Sequence, residues 1–230
     1  MEPRRHSTDN QSLRADIVSL IKSKIINGDL NPGDRIVESQ LVRELGISQT
    51  PIREAIHQLV GEQVVDVVPN RGALVRSLSA KDVFEIYSYR AVLEGMAIRL
   101  AVQNVTIKDI KHLEQFYGEM KAKITDDSIE LLSQDSSYIH HYIYKLSMHS
   151  ILLSMYEFIS FRIQLVNRIL QRKYTKAQEV AEHLELIEVL KKGDPDEAEK
   201  VMREHIYRSY RNFVDIGMFD QNELAQNHWI

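Results

Sequence analysis

The sequence predicts a mostly α-helical protein in two parts, an N-terminal winged helix-turn-helix with a small β-hairpin and a C-terminal all-α antiparallel helical bundle. Three observations predict it. Apolar residues recur at helical spacing along most of the chain. Strand-like β-branched runs occur only twice, on either side of a Pro-Asn-Arg-Gly turn near residue 70. After Leu78 that pattern stops, and six helical segments follow one another with short connections.

Each element follows from local chemistry. Leu13, Ile17, Leu20, Ile21 and Ile25 form one stripe of a first helix; Gly28 stops it, and Leu30-Asn31-Pro32-Gly33-Asp34 reads as a turn. A short helix over about 38–45 turns Leu41, Val42 and Leu45 inward and ends at Gly46, a C-cap glycine. Ser48 is placed to cap the third helix, and Pro51 falls in its first turn, where a missing N–H costs nothing. That helix runs to about Gly61, with Ile52, Ala55, Ile56 and Leu59 on its buried face. Val64–Val68 and Ala73–Arg76 then flank Pro69-Asn70-Arg71-Gly72, whose Asn and Gly tolerate the positive φ of a hairpin.

Ser79-Ala80-Lys81-Asp82 resembles a capping box and opens a helix to about Val102, and Thr106 opens another to about Thr125. Segments of about 128–147, 150–172 and 176–191 follow; Gly193 stops the last, and Asp194-Pro195 starts a final helix to about Asp215. The expected domains are 1–78 and 79–217, with a polar tail over 218–230.

Composition narrows the function. The 230 residues are 43% apolar and 27% charged, an ordinary soluble globular balance. No run of about 18 apolar residues suits a membrane span, and MEPRRHSTDNQ lacks the core of a signal peptide. The absence of cysteine excludes disulfides, thiolate catalysis and cysteine-ligated zinc fingers, and fits a cytoplasmic protein. Net charge is −4, and residues 1–79 hold ten Lys/Arg against ten Asp/Glu, so bulk charge makes no case for nucleic acid. Pattern must make it.

A helix-turn-helix holds two helices at a steep angle so that the second enters the major groove. Leu41-Val42-Arg43-Glu44-Leu45-Gly46-Ile47-Ser48 supplies the packed helix, glycine turn and cap. The start of the next helix then presents Ser48, Gln49, Thr50 and Arg53 to the bases. Gln49 and Arg53 are able to pair bidentately with adenine and guanine edges, and Arg71 at the wing tip reaches phosphate or the minor groove.

Ile26-Asn27-Gly28-Asp29-Leu30-Asn31-Pro32-Gly33-Asp34-Arg35-Ile36, Ser48-Gln49-Thr50-Pro51-Ile52-Arg53-Glu54-Ala55 and Pro69-Asn70-Arg71-Gly72-Ala73-Leu74-Val75 closely resemble the GntR family of bacterial transcriptional regulators. The resemblance implies that Ser48, Thr50, Arg53, Arg71 and Gly72 contact operator DNA. Position 49 departs, since the family usually has Arg there, so the operator half-site is expected to differ from the common one.

In the helical part, His140-His141 share a helix with Asp135, Ser136 and Tyr138, while His183 and His205 lie on consecutive helices. His183 stands ten residues before Gly193 and His205 ten after Pro195, so an antiparallel hairpin sets them side by side. Two imidazoles at matched height plus a third from a neighbouring helix make a facial three-nitrogen site, suited to zinc, nickel or a similar divalent ion. Chance pairing among nine histidines is the bland alternative.

Tyr89-Arg90-Ala91-Val92-Leu93-Glu94, Ile139-His140, Glu182-His183-Leu184-Glu185-Leu186-Ile187 and Met202-Arg203-Glu204-His205-Ile206 resemble the FCD subfamily of GntR regulators, whose C-terminal domain is a helical bundle around a cavity. The resemblance implies metal ligands at His140, His183 and His205, with an Asp four residues before the first. That position is Ser136, which can hold a metal-bound water instead; Asp135 comes one residue early, about 140° round the helix from His140. Arg90 is the expected anchor for a small carboxylate effector, against the alternative of an Arg90–Glu94 surface pair. Tyr138, His149 and Arg162 are further candidates for the cavity wall.

The function expected is a dimeric regulator, by family default a repressor, on a palindromic double-stranded operator. It would be cytoplasmic, and on the nucleoid when bound. A metal-only sensor and a metal-dependent hydrolase are the rival readings. Against the hydrolase, Glu182 and Glu204 adjoin two ligands and should point about 100° away from the metal.

Overall fold

The computed structural model describes residues 5–125, 129–170 and 175–215; the tail expected over 218–230 lies outside the described residues. The chain divides into two compact units, Met1–Leu78 and Ser79–Ile230.

The first unit contains α1 (Arg5–Asn27), α2 (Glu38–Leu45), α3 (Gln49–Gly61), β1 (Val65–Val68) and β2 (Gly72–Val75). Ile17, Ile21 and Ile25 of α1 pack with Ile52, Ile56 and Leu59 of α3 in one core, closed below by Leu41, Val65 and Val75. Gly46 turns the chain between α2 and α3 at φ 66°, a conformation that costs a side-chain-bearing residue about 1–2 kcal/mol. Ser48 occupies the N-cap of α3, yet its hydroxyl makes no capping bond and stays exposed. In the hairpin Val65 pairs with Val75 and Val68 with Gly72, and the tip uses Asn70 at φ 63° and Gly72 at φ 82°.

One strand-like contact has no local signature. The turn segment after α1 runs along the outer edge of β2: Ile36 N–H donates to Ala73 O at 2.9 Å, and Val75 N–H to Asp34 O at 2.9 Å. These bonds satisfy the free edge of the wing, and they arise from tertiary pairing rather than from alternation.

Among the described residues the second unit contains six α-helices, α4 (Ala80–Asn104), α5 (Ile107–Ala122), α6 (Ile129–Leu146), α7 (Ser150–Leu170), α8 (Lys176–Lys192) and α9 (Pro195–Asp215), with a short 3-10 turn over Lys123–Thr125. Reciprocal capping boxes start α4 and α5. Asp82 N–H donates to Ser79 Oγ at 3.1 Å while Ser79 N–H donates to Asp82 Oδ2 at 2.9 Å, and Thr106 and Asp109 repeat the arrangement. Gly193, at φ 79°, closes α8 and lets α9 fold back beside it.

Helix α4 packs against α6, α7, α8 and α9. Its approach to α9 is close because residue 95 is glycine: a Cβ there would lie 3.0 Å from Arg203 Cγ. The core holds Tyr87, Ile98, Ile139, Tyr144, Leu186, Met202 and Ile206. Amid it α4 also buries Arg90 and Glu94. Among the described residues no helix is long and apolar enough to cross a membrane.

Candidate metal centre and DNA-reading surface

Three helices each bring one imidazole to a common point. His140 of α6, His183 of α8 and His205 of α9 are buried, with ring centroids 5.1 to 5.3 Å apart. One nitrogen from each lies within 4.8 Å of the other two, and His140 Nε2 and His205 Nε2 are 3.3 Å apart. The outer nitrogens face partners. His183 Nδ1 is 2.7 Å from the Glu179 carbonyl oxygen, His140 Nδ1 2.5 Å from Glu94 Oε2, and His205 Nδ1 3.8 Å from Glu182 Oε2. His183 Nε2 is buried without a hydrogen-bond partner.

Burial, then the neighbouring His140, pushes the His183 imidazole down to about 3. Burial with His183 and His140 pushes His205 well below its ordinary value. His183 and His205 are thereby held neutral, a neutral ring offers a lone pair to a cation, and the donor set fits a divalent ion with nitrogen preference.

Behind His140 lies an ion pair. Arg90 Nε donates to Glu94 Oε1 at 2.6 Å, with the two side chains only 5% and 1% exposed. Burial alone would raise Glu94, but Arg90 and His140 outweigh it and hold the carboxyl down to about 2. The i,i+4 relation expected of a surface pair is therefore present, but inside the bundle.

Helices α4, α6, α7, α8 and α9 line a partly open cavity of about 60 Å³ beside the imidazoles, room for an ion with a few waters or a ligand group of like bulk. Arg90, Ser136, the three histidines and Glu179 are in its wall. Asp135 turns away to Lys123 Nζ at 2.8 Å, whereas Ser136 Oγ donates to Glu179 Oε1 at 2.6 Å. Burial raises the Glu179 carboxyl, partly offset by that bond.

Three expected wall residues stand elsewhere. Tyr138 is 37% exposed, and its hydroxyl meets His112 Nε2 at 2.7 Å on the outer side of α6. His149 is exposed and caps α7, its Nδ1 accepting from Leu152 N–H at 3.2 Å. Arg162 Nη2 faces Asp82 at 3.7 Å. Glu182 also departs from expectation: it does line the cavity, because its long side chain crosses from α8 to the back of His205 on α9.

Sequence reasoning missed Glu94, Glu179 and Tyr87 as parts of the site. The first two lie four residues from Arg90 and His183, an interval that would have put each on its partner's face.

On the first unit, Ser48, Gln49, Thr50 and Arg53 are exposed at the start of α3, with Arg71 and Gly72 at the hairpin tip. Glu38, which opens α2, was also missed. Its Oε2 accepts from Gln49 Nε2 at 2.6 Å and from Arg53 Nε at 2.9 Å, so one carboxylate sets the direction of both long side chains.

A winged helix followed by a helical bundle with a polar cavity is the architecture of a DNA-binding transcriptional regulator. Residues 13–75 match the model of the bacterial regulatory proteins of the gntR family, and residues 85–208 match the FCD domain. The Nta operon transcriptional regulator of Aminobacter aminovorans is 31% identical over 80% of this chain and 87% of its own. The probable D-xylose utilization operon transcriptional repressor of Paenarthrobacter nicotinovorans is 25% identical over 87% and 90%. Escherichia coli McbR is similar in structure, with TM-score 0.76 and 25% identity over 89% of this chain and 98% of its own. The chain belongs to the GntR family of transcriptional regulators, with an FCD domain after its winged helix.

Removing one member of the buried pair leaves an uncompensated charge. Glu94→Ala should destabilise the protein by about 3–5 kcal/mol in chemical denaturation, and Arg90→Met/Glu94→Leu should cost far less. Equal losses in the two variants would mean that the pair is not the cause.

Proposed function

We propose that the protein is a ligand-responsive regulator, acting as a repressor, that binds a palindromic operator as a homodimer. A small organic acid bound beside a divalent metal in the helical unit would control its affinity for DNA. The observation that carries this reading is the convergence of His140, His183 and His205 on one point next to the buried Arg90. The three imidazoles would hold the ion, zinc or nickel by their chemistry; when bound, it would polarise a carboxylate and complete that ligand's site. Arg90 gives Nε to Glu94, which leaves other guanidinium donors for a second acid.

On the DNA side, Ser48, Gln49, Thr50 and Arg53 would read bases and Arg71-Gly72 the backbone or minor groove. Residues Arg76 to Ser79 run from β2 of the wing to α4, the helix that carries Arg90 and Glu94. A ligand that shifts α4 would thus act on the wing through a four-residue connection, with a coupling of about 1–3 kcal/mol. Support for the dimer comes from exposed apolar side chains at helical spacing, Tyr89, Val92 and Met96 on α4 and Ile151, Met155 and Phe158 on α7.

Three measurements test this reading. Arg53→Ala should lower operator affinity about tenfold or more, and Gln49→Arg should change the half-site selected from random DNA. If neither changes, α3 is not the reading helix. In an operator gel-shift, chelated protein should respond poorly to small carboxylates and recover with zinc or nickel; a shift on ion addition alone assigns metal-only sensing instead. In sedimentation, Ile151→Glu/Phe158→Glu should convert a dimer to monomers, and an unaltered dimer places the interface elsewhere.

A further inference from the structure

We propose that Glu179 supplies the carboxylate of the metal site, drawn from α8 and oriented by Ser136 of α6. The inference rests on the metal-binding reading above and deepens it.

The first argument is charge. Three neutral imidazoles leave both positive charges of a divalent ion uncompensated among buried side chains, which is costly without an anionic ligand. Four carboxylates lie near enough to be considered. Glu94 is held by Arg90 at 2.6 Å and sits against Nδ1 of His140, on the side of the ring away from the cluster. Glu182 lies 3.7 Å from Arg208 and backs onto Nδ1 of His205. Asp135 is paired with Lys123 at 2.8 Å. Glu179 lines the cavity and takes part in none of the ion pairs among the described residues.

The second argument is placement. Glu179 precedes His183 by four residues, so the two side chains share one face of α8, the interval at which two ligands from one helix reach one ion. Its Oε1 accepts a 2.6 Å hydrogen bond from Ser136 Oγ, and Ser136 is itself buried in the cavity wall four residues before His140. A carboxylate on α6 at position 136 would lie where that Oγ now holds the Glu179 oxygen. Serine at 136 and glutamate at 179 are thus complementary: the short hydroxyl leaves room for the longer acid from the next helix and fixes one of its oxygens. The other oxygen is not held by Ser136, and because the converging ligand atoms are those of the three histidines alone, it would have to turn onto the ion as the ion binds.

The test uses full-length protein and the metal ions alone. Chelated samples are titrated with zinc(II) in competition with a coloured chelator, and with cobalt(II) to read the visible d–d bands that report the ligand set. Wild type should bind one ion per protomer, and His183→Ala should lose it. Glu179→Gln, which keeps shape and removes charge, should weaken zinc binding about tenfold to a hundredfold and change the cobalt spectrum. Ser136→Asp/Glu179→Gln, which moves the carboxylate back to α6, should restore affinity. If wild type binds neither ion, the metal reading itself fails. If wild type binds and His183→Ala does not, while Glu179→Gln keeps both affinity and spectrum, Glu179 is no ligand. Should Glu179→Gln fold poorly by circular dichroism, Glu179→Asp decides: an acid shorter by one methylene should weaken zinc binding and shift the cobalt bands, and wild-type affinity with a wild-type spectrum overturns the assignment.

Discussion

Arg90 and Glu94, one helical turn apart on α4, are both withdrawn from water, and the middle of the bundle is arranged around that pair. Desolvating an ion costs several kcal/mol, which only close and complementary partners offset. Here one carboxylate oxygen takes the guanidinium at 2.6 Å and the other faces His140 at 2.5 Å. Glu94 therefore answers Arg90 and aims the ring of His140 in the same act. The Tyr87 ring, 5.2 Å from Arg90 Cζ, covers the cation from another side. Burying Tyr87 and Tyr144 pushes both hydroxyls up, so the phenols around the pair stay neutral and add no competing charge.

The same logic, an outer partner for each ring, extends to the other two imidazoles with different chemistry. His183 is tied to a backbone carbonyl of its own helix, a fixture that depends on α8 being helical and on nothing else. His205 depends on a side chain from α8 at the longer distance of 3.8 Å. The outer contact thus lengthens from His140 through His183 to His205, at 2.5, 2.7 and 3.8 Å, and the last ring has the weakest orienting partner. Since the rings come from three helices, any change in helix packing changes the cluster, and any occupant of the cluster biases the packing.

Much of this was legible in the sequence because it depends on periodicity and on glycine. The helices, the αL turns at Gly46 and Gly193, and the hairpin tip at Asn70 and Gly72 are local features. The pairing of His183 with His205 follows from equal distances to one turn. What could not be read was decided by burial and by reach. An Arg-x-x-x-Glu pair has the same spacing on a surface as in a core, and only the tertiary fold put Arg90 and Glu94 inside. Glu182 left its helix face because four side-chain bonds let it cross to α9, and Glu38 reached Gln49 and Arg53 from another helix. Tyr138, two residues before His140 on α6, faces outward because near neighbours along a helix do not share its face, and His149 lies beyond the end of α6, where it caps α7.

Tautomers explain why the cluster suits a cation better than it suits itself. A carbonyl only accepts, so His183 keeps its proton on Nδ1 and presents a lone pair from Nε2. The carboxylate at His140 Nδ1 favours the same choice there. Its 3.3 Å contact with His205 Nε2 then needs the His205 proton on Nε2, which turns the bare Nδ1 toward the Glu182 carboxylate. With the proton on Nδ1 instead, two lone pairs face each other across 3.3 Å. Protonating both nitrogens of His205 would resolve the conflict, but burial holds that ring far below its ordinary value. One positive centre between the rings removes it entirely, since every Nε2 then has an acceptor for its lone pair and every Nδ1 proton points to its outer oxygen.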